Sequence, residues 1–91
     1  MSPSWWVYMV QSQSGRLYTG ISTDPERRLR EHSGEGGRGA RFFRGDPPVA
    51  IVFIEAAADR SAASRREAAI KKLRRTEKMQ LIAQQNRRQP V

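Results

Sequence analysis

Two runs of aromatic and β-branched residues, Trp5 to Gln11 and Arg16 to Ile21, stand on either side of Ser12-Gln13-Ser14-Gly15. That arrangement commits the start of the chain to a β-hairpin with a glycine-containing turn, onto which everything later must fold. Strand alternation puts Tyr8 on one face with Trp6 and Val10, and Tyr18 on one face with Arg16 and Gly20. Pairing the strands can therefore set two phenols side by side.

The next segment announces a helix. Thr23-Asp24-Pro25-Glu26 offers two candidate caps, a capping-box spacing between Thr23 and Glu26, and a proline suited to the first turn. The helix is expected to run to about His32, with Leu29 as its main core anchor and Arg28 and His32 one turn apart on the same face. Ser33 to Gly45 holds five glycines, three arginines and two phenylalanines without usable periodicity, and is expected to be a loop.

Val49 to Ile54 is a continuous apolar run that fits a strand buried on both faces. Asp59 or Ser61 can cap a helix from about Arg60 to Arg75, along which Ala63, Glu67, Ile70 and Arg74 recur at three- and four-residue spacing. Thr76 is expected to cap a short last helix with Met79, Leu81 and Ile82 on its apolar side. The element order is ββαβαα, an α+β arrangement in a single domain over residues 1–85, followed by a basic tail over 86–91.

A chain of 91 residues buries only about 60% of its unfolded surface, so one thin core is expected. With no cysteine there is no disulfide framework, thiolate metal site or thiol nucleophile. The six-residue apolar run from Trp5 to Val10 is too short for a membrane span or a signal peptide. These features point to a cytoplasmic protein. Seventeen Lys and Arg against nine Asp and Glu, a net charge of +8 and a pI near 11.3 make polyanions the natural partners, nucleic acid first among them. Membrane binding is not expected, because the basic helical stretch is rich in alanine and lacks a large apolar face.

The residue types with chemical potential are Tyr8, Tyr18, Arg28, His32 and Glu67. Each also has an ordinary structural explanation: tyrosines pair across hairpins, Arg28 and His32 can line a solvated helix face, and Glu67 with Lys71 has the spacing of an i,i+4 ion pair. Gly20 can simply end a strand. Arg38, Arg41 and Arg44, interleaved with Phe42 and Phe43, can clamp phosphates and stack a base, or the rings can belong to the core. Lys71 and Lys72 extend a basic helical surface able to follow a nucleic-acid backbone without reading its sequence.

Taken in order, these pieces resemble the GIY-YIG nuclease superfamily, in particular its small stand-alone bacterial members, over roughly residues 5–82. The matching parts are Val7-Tyr8, Leu17-Tyr18-Thr19-Gly20-Ile21, Asp24 with Glu26-Arg27-Arg28-Leu29 and His32, Gly39-Ala40 with Arg44 and Pro48-Val49, and Arg66-Glu67 with Ile70-Lys71-Lys72-Leu73. The chain departs from the pattern at Trp6, which replaces the glycine of the first half-motif, at Thr19, where isoleucine is usual, and at Phe43, where a threonine is common.

The resemblance implies a three-stranded, mainly antiparallel sheet flanked by helices, and a metal-dependent endonuclease acting on DNA. It implies that Tyr8 acts near the attacking water and passes its proton towards His32. Tyr18 would bond the scissile phosphate or the water, Arg28 would stabilise the transition state, and Glu67 would hold one Mg2+ or Mn2+ ion. Gly20, Arg38, Arg41, Arg44, Lys71 and Lys72 are the expected substrate-binding residues, and no organic cofactor is expected. A non-catalytic nucleic-acid-binding module of the same fold is the competing expectation. A monomer or weak dimer is expected in either case.

Overall fold

A computed structural model describes residues 4–33 and 41–88. Its elements are β1 (Trp5–Ser12), β2 (Leu17–Ser22), α1 (Pro25–His32), a 3-10 turn at Arg41–Phe43, β3 (Pro48–Ala57), α2 (Arg60–Lys71) and α3 (Arg75–Arg88). The three strands form one antiparallel sheet in the order β2-β1-β3. The α+β class and the order ββαβαα are as the sequence predicts.

β1 is the strand buried on both faces, with Val7, Tyr8, Met9 and Val10 all inside. Val7 and Met9 face a core built with Phe53, Ala63, Ile70 and Ile82, under α2 and α3. Tyr8 and Val10 face a second core with Phe43, against which Tyr18, Leu29, Phe42 and Ile51 pack. One strand thus divides the molecule into a purely apolar layer and a layer that carries tyrosines and a histidine.

β3 corrects the expectation of full burial. It is an edge strand on which only Phe53 is buried, while Val49 is 63% and Ile54 36% exposed. Its unbroken apolar run has another cause. The pairing jumps from Met9↔Phe53 to Val10↔Ile51, leaving Val52 as an extra residue, and slips again between Gln11↔Ala50 and Ser12↔Pro48. A bulge reverses the alternation of side chains. Phe53 can therefore serve the first core and Ile51 the second, although the two are only two residues apart.

The helices differ from expectation mainly at their ends. Asp24, not Thr23, caps α1, its carboxylate accepting from Arg27 N at 3.2 Å. Leu29 is only half-buried, and the fully buried side chains of α1 are Pro25 and His32. α2 stops at Lys71, four residues short of the predicted end, and Asp59 caps its start by accepting from Ala62 N at 2.8 Å. The α3 cap is formed by Glu77, whose Oε1 accepts from Arg74 N at 3.0 Å, and not by Thr76. Residues 86–88, expected in a trailing segment, belong to α3. Trp5 packs partly buried on the first core with the Arg60 guanidinium 5.7 Å from its ring. No helix among the described residues is long and apolar enough to cross a membrane.

The open edge of β3 is guarded at one point. Gln85 on α3 accepts from Ile54 N at 3.0 Å and donates to Ile54 O, so its carboxamide stands in for a neighbouring strand. Edge strands without such cover recruit other chains. Gln85→Ala is expected to cost about 1 kcal/mol, roughly 4–8 °C in Tm, and to make sedimentation concentration-dependent where the parent is not. A variant with unchanged melting and sedimentation would show that the carboxamide guards nothing.

Candidate active site

The register of the hairpin builds the site. Tyr8 lies directly opposite Gly20, and Val10 opposite Tyr18, so Tyr8, Tyr18 and Gly20 share one face. A Cβ at position 20 would stand 2.7 Å from Tyr8 Oη, 2.9 Å from Cζ of the same ring and 3.1 Å from Tyr18 Cε1. The glycine therefore makes way for the Tyr8 phenol. Tyr8 is 1% exposed, so its ring has little room to retreat.

α1 crosses this face and lowers His32 onto it. Tyr8 Oη lies 3.3 Å from His32 Nε2, and the His32 ring packs 5.0 Å from Tyr18 and 4.8 Å from Phe43, centroid to centroid. One turn earlier, Arg28 comes near enough to the Tyr8 hydroxyl to lower its pKa, and it pairs with Glu31, with Nη1 2.8 Å from Glu31 Oε1. The neutral phenol can donate to Nε2 where that nitrogen carries no hydrogen. Sequence reasoning passed over Glu31, although its i,i+3 spacing from Arg28 is a recognisable signal.

Glu67 arrives from the other side of the sheet. It lies on α2 between Ala63 and Ile70, the two residues that pack α2 into the first core. Its carboxylate reaches near enough to Tyr8 to raise the phenol's pKa, the smallest of the effects there. Glu67 Oε2 is also 3.3 Å from Lys71 Nζ, so the ordinary i,i+4 ion pair is present as well. Lys71, expected to contact substrate, is engaged with this acid, and Lys72 and Arg44 are exposed. Arg38 and the side chain of Arg41 lie outside the described residues. Phe43 is buried and Phe42 half-buried in the second core, so of the two alternatives for these rings it is core packing that the fold takes.

Asp46 holds that aromatic segment in place. Its carboxylate accepts from Ser12 Oγ at 2.7 Å, Ser14 Oγ at 2.7 Å and Ser14 N at 2.9 Å, and Asp46 N donates to Phe43 O at 3.2 Å. The segment after the 3-10 turn is thereby clasped to the hairpin. The Ser14 and Ser12 hydrogen bonds hold the Asp46 carboxyl below its usual pKa. This clasp joins residues 34 positions apart and leaves no local sequence signal.

The site's electrostatics run against the expected proton relay. Burial first, then the neighbouring Tyr18, pushes the Tyr8 phenol up to about 12, despite the lowering influence of Arg28. Burial first, then the Arg28 charge, pushes His32 down to about 4. Both groups are neutral at pH 7. Transfer of the phenol proton to this imidazole is strongly uphill until some other charge enters.

The sequence model of the GIY-YIG catalytic domain matches residues 4–80, and the chain belongs to that family. Its relatives include UPF0213 proteins of bacteria. It is 49% identical over 80 residues to UPF0213 protein DP2720 of Desulfotalea psychrophila, covering 88% of this chain and 72% of that one. It is 45% identical over 83 residues to a UPF0213 protein of Aeromonas hydrophila, covering 91% of this chain and 60% of that one. The solution NMR structure of UPF0213 protein BH0048 from Bacillus halodurans superposes with a TM-score of 0.55 at 35% identity, covering 87% and 82% of the two chains. The fold is therefore one in which nuclease-type sites are built.

Two outcomes are expected from this geometry. Gly20→Ala should cost about 1–3 kcal/mol by overpacking, read from urea unfolding, and should displace the phenol from His32. Parent-like stability would mean that the ring moves aside freely. For pH, His32 has a folded pKa below its unfolded value, so its contribution is full above about 6.5 and is lost as pH falls towards about 4. Tyr8 has a raised pKa, so its contribution is full below about 10 and is lost as pH rises through about 12. Urea unfolding at pH 7 and pH 4.5 should show on the order of 2–3 kcal/mol of acid loss that His32→Gln removes. Equal acid loss in the two proteins would contradict the burial of a neutral imidazole.

Proposed function

We propose that this chain is a divalent-metal-dependent endonuclease that hydrolyses phosphodiester bonds in nucleic acid, with DNA as its substrate, in the cytoplasm. The observation that carries this reading is the Tyr8 hydroxyl seated over Gly20 between His32 and Arg28, with the Glu67 carboxylate at its margin. An apolar hairpin core has no need of that combination.

Tyr8 and His32, both neutral, orient a water by hydrogen bonds. A bound phosphodiester brings negative charge beside His32, and negative charge raises an imidazole's pKa, so the substrate itself moves the site towards base catalysis. Arg28 is the fixed positive charge for the oxygens that gain charge as the bond breaks, and Glu31 keeps it from swinging away. Tyr18, edge-on to His32, offers a hydroxyl to the phosphate or the water.

The donor set fits a hard, hydrated cation. Among the described residues no three His, Asp or Glu side chains gather as ligands, and Glu67 would be the one protein ligand of Mg2+ or Mn2+, with waters and substrate phosphate supplying the rest. A cation there supplies Lewis-acid polarisation of a phosphate oxygen. Glu67 must release Lys71 to hold it, so affinity without nucleic acid is weak.

A non-catalytic nucleic-acid-binding module is the second reading. It is favoured by the neutrality of both Tyr8 and His32 and by the pairing of the lone carboxylate with Lys71. Incubation with supercoiled and branched DNA in Mg2+ or Mn2+ separates the two. Cleavage is expected from the parent and a loss on the order of 10²–10³-fold from Tyr8→Phe, Arg28→Ala or Glu67→Gln, with DNA affinity largely kept. A parent that binds these DNAs and cuts none of them would establish the module instead.

A further inference from the structure

Beside the catalytic face lies a cleft of about 210 Å³ lined by Arg16, Leu17, Phe42, Arg75 and Lys78. Three cations and one ring thus converge from the end of the hairpin, the 3-10 turn and the first turn of α3. Lys78 is half-buried, and Arg75 extends back to the hairpin, its Nη2 3.9 Å from where a Cβ would stand at Gly15. Like charges gathered in one concavity repel each other, and the acid in the first turn of α3, Glu77, is turned to the helix cap. Neither Arg75 nor Lys78 makes an ion pair or side-chain hydrogen bond among the described residues.

The nearby acids are already committed. Glu77 closes the α3 cap on Arg74 N, and Asp46, 3.9 Å from Arg16 Nη1, engages its oxygens with Ser12 and Ser14. Arg16 is the cation that lies over the ring. Its guanidinium carbon sits over the Phe42 ring, 4.3 Å from the centroid, which leaves N–H groups of the fork to bond an anion. Phe42 in turn packs 5.3 Å from Tyr18, so the support of Arg16 is also a wall of the catalytic cluster.

We propose that this cleft is a subsite for a backbone phosphate of the bound nucleic acid, flanking the one at Tyr8 and Tyr18, with Arg16 as its forked ligand and Arg75 and Lys78 as its counter-charges. Arg16 precedes Tyr18 by two residues, roughly 7 Å along an extended strand, a span that neighbouring phosphates of one nucleic-acid strand can bridge. A strand lying along the edge of β2 meets both positions. The subsite makes no base contact, so it sets register and not sequence preference. It rests on the nucleic-acid reading of the neighbouring site and adds the path of the strand.

Fluorescence anisotropy with a short labelled DNA duplex, titrated across NaCl concentrations without divalent cation, tests it. Arg75→Gln with Lys78→Gln keeps the side-chain stems and removes two charges. Arg27→Gln with Arg87→Gln removes the same charge from α1 and from the far end of α3. The first pair is expected to weaken binding equally for unrelated sequences and to reduce the slope of log K against log salt by about 0.9 for each phosphate no longer neutralised. The second pair is expected to change the slope by less than half as much. Arg16→Lys, which keeps the charge and removes the stacked fork, should lower affinity with little change in slope. Equal slopes from the two charge-removing pairs, or an Arg16→Lys protein that binds like the parent, would overturn the subsite. No cleavage is read here, so a protein that binds through this cleft but never cuts leaves the subsite standing and removes only the nuclease reading. A protein that cuts DNA but shows equal slopes does the reverse.

Discussion

The contact between Tyr8 and Gly20 governs the rest of the structure. A phenol buried in a β-sheet needs both volume and hydrogen-bond partners, and here the partner strand supplies the volume by having no side chain at that point. The ring can then lie over the glycine with its hydroxyl meeting Arg28 and His32 on α1. If position 20 carried even a methyl group, the phenol would have to lift away from the sheet, and α1 with it. The antiparallel register is therefore a chemical constraint as well as a structural one, because slipping by one residue would send Tyr8 to the apolar core.

Burial of that hydroxyl has a consequence for reactivity. Removing a phenol and an imidazole from water penalises their charged forms, and the two are driven in opposite directions, to about 12 and about 4. In this condition the site's phenol keeps its proton and the imidazole takes none up at neutral pH. Its neighbours are similarly quiet, Arg28 against Glu31 and Glu67 against Lys71. Each of these pairs can be reopened by a more highly charged competitor. Activity in such a site would be conditional on ligands that carry charge into it, which suits a protein whose net charge of +8 attracts polyanions.

Much of this was legible in the residues, for local reasons. The hairpin followed from two β-rich runs and a glycine turn, and α1 from an Asp-Pro start. Tyr8 could be paired with Tyr18, and Arg28 with His32, because strand and helix periods determine faces; that the two pairs meet was implied only by the resemblance to the GIY-YIG pattern. Misreadings arose where distant parts of the chain decide. Val49 to Ile54 looks like a central strand, but its register slips let an edge strand serve two cores, and register is a property of a pair of strands. The end of α2 and the start of α3 lie in a run of basic residues, Lys71 to Arg75, where propensity is uniform and only the Glu77 cap marks the break. The clasp by Asp46 and the strand-like carboxamide of Gln85 could not be read at all, since each joins segments more than thirty residues apart.

The two faces of β1 divide the work of a small protein. Val7 and Met9 anchor a layer of aliphatic and aromatic side chains under α2 and α3, with no titratable group among its buried members. Tyr8 and Val10 face a layer that contains the phenols, the imidazole and the clasped aromatic segment. With one thin core on each side, polar burial on the second face must be offset by packing on the first. Glu67 is anchored on the first side. It is held by the helix that contributes Ala63 and Ile70 to the apolar core, yet its charge is felt at Tyr8. A change in the apolar layer that shifts α2 would therefore move the acid relative to the phenol. A site that drew Glu67 and Tyr8 together would for this reason be coupled to the sheet's own stability, in a way that a site confined to one loop is not.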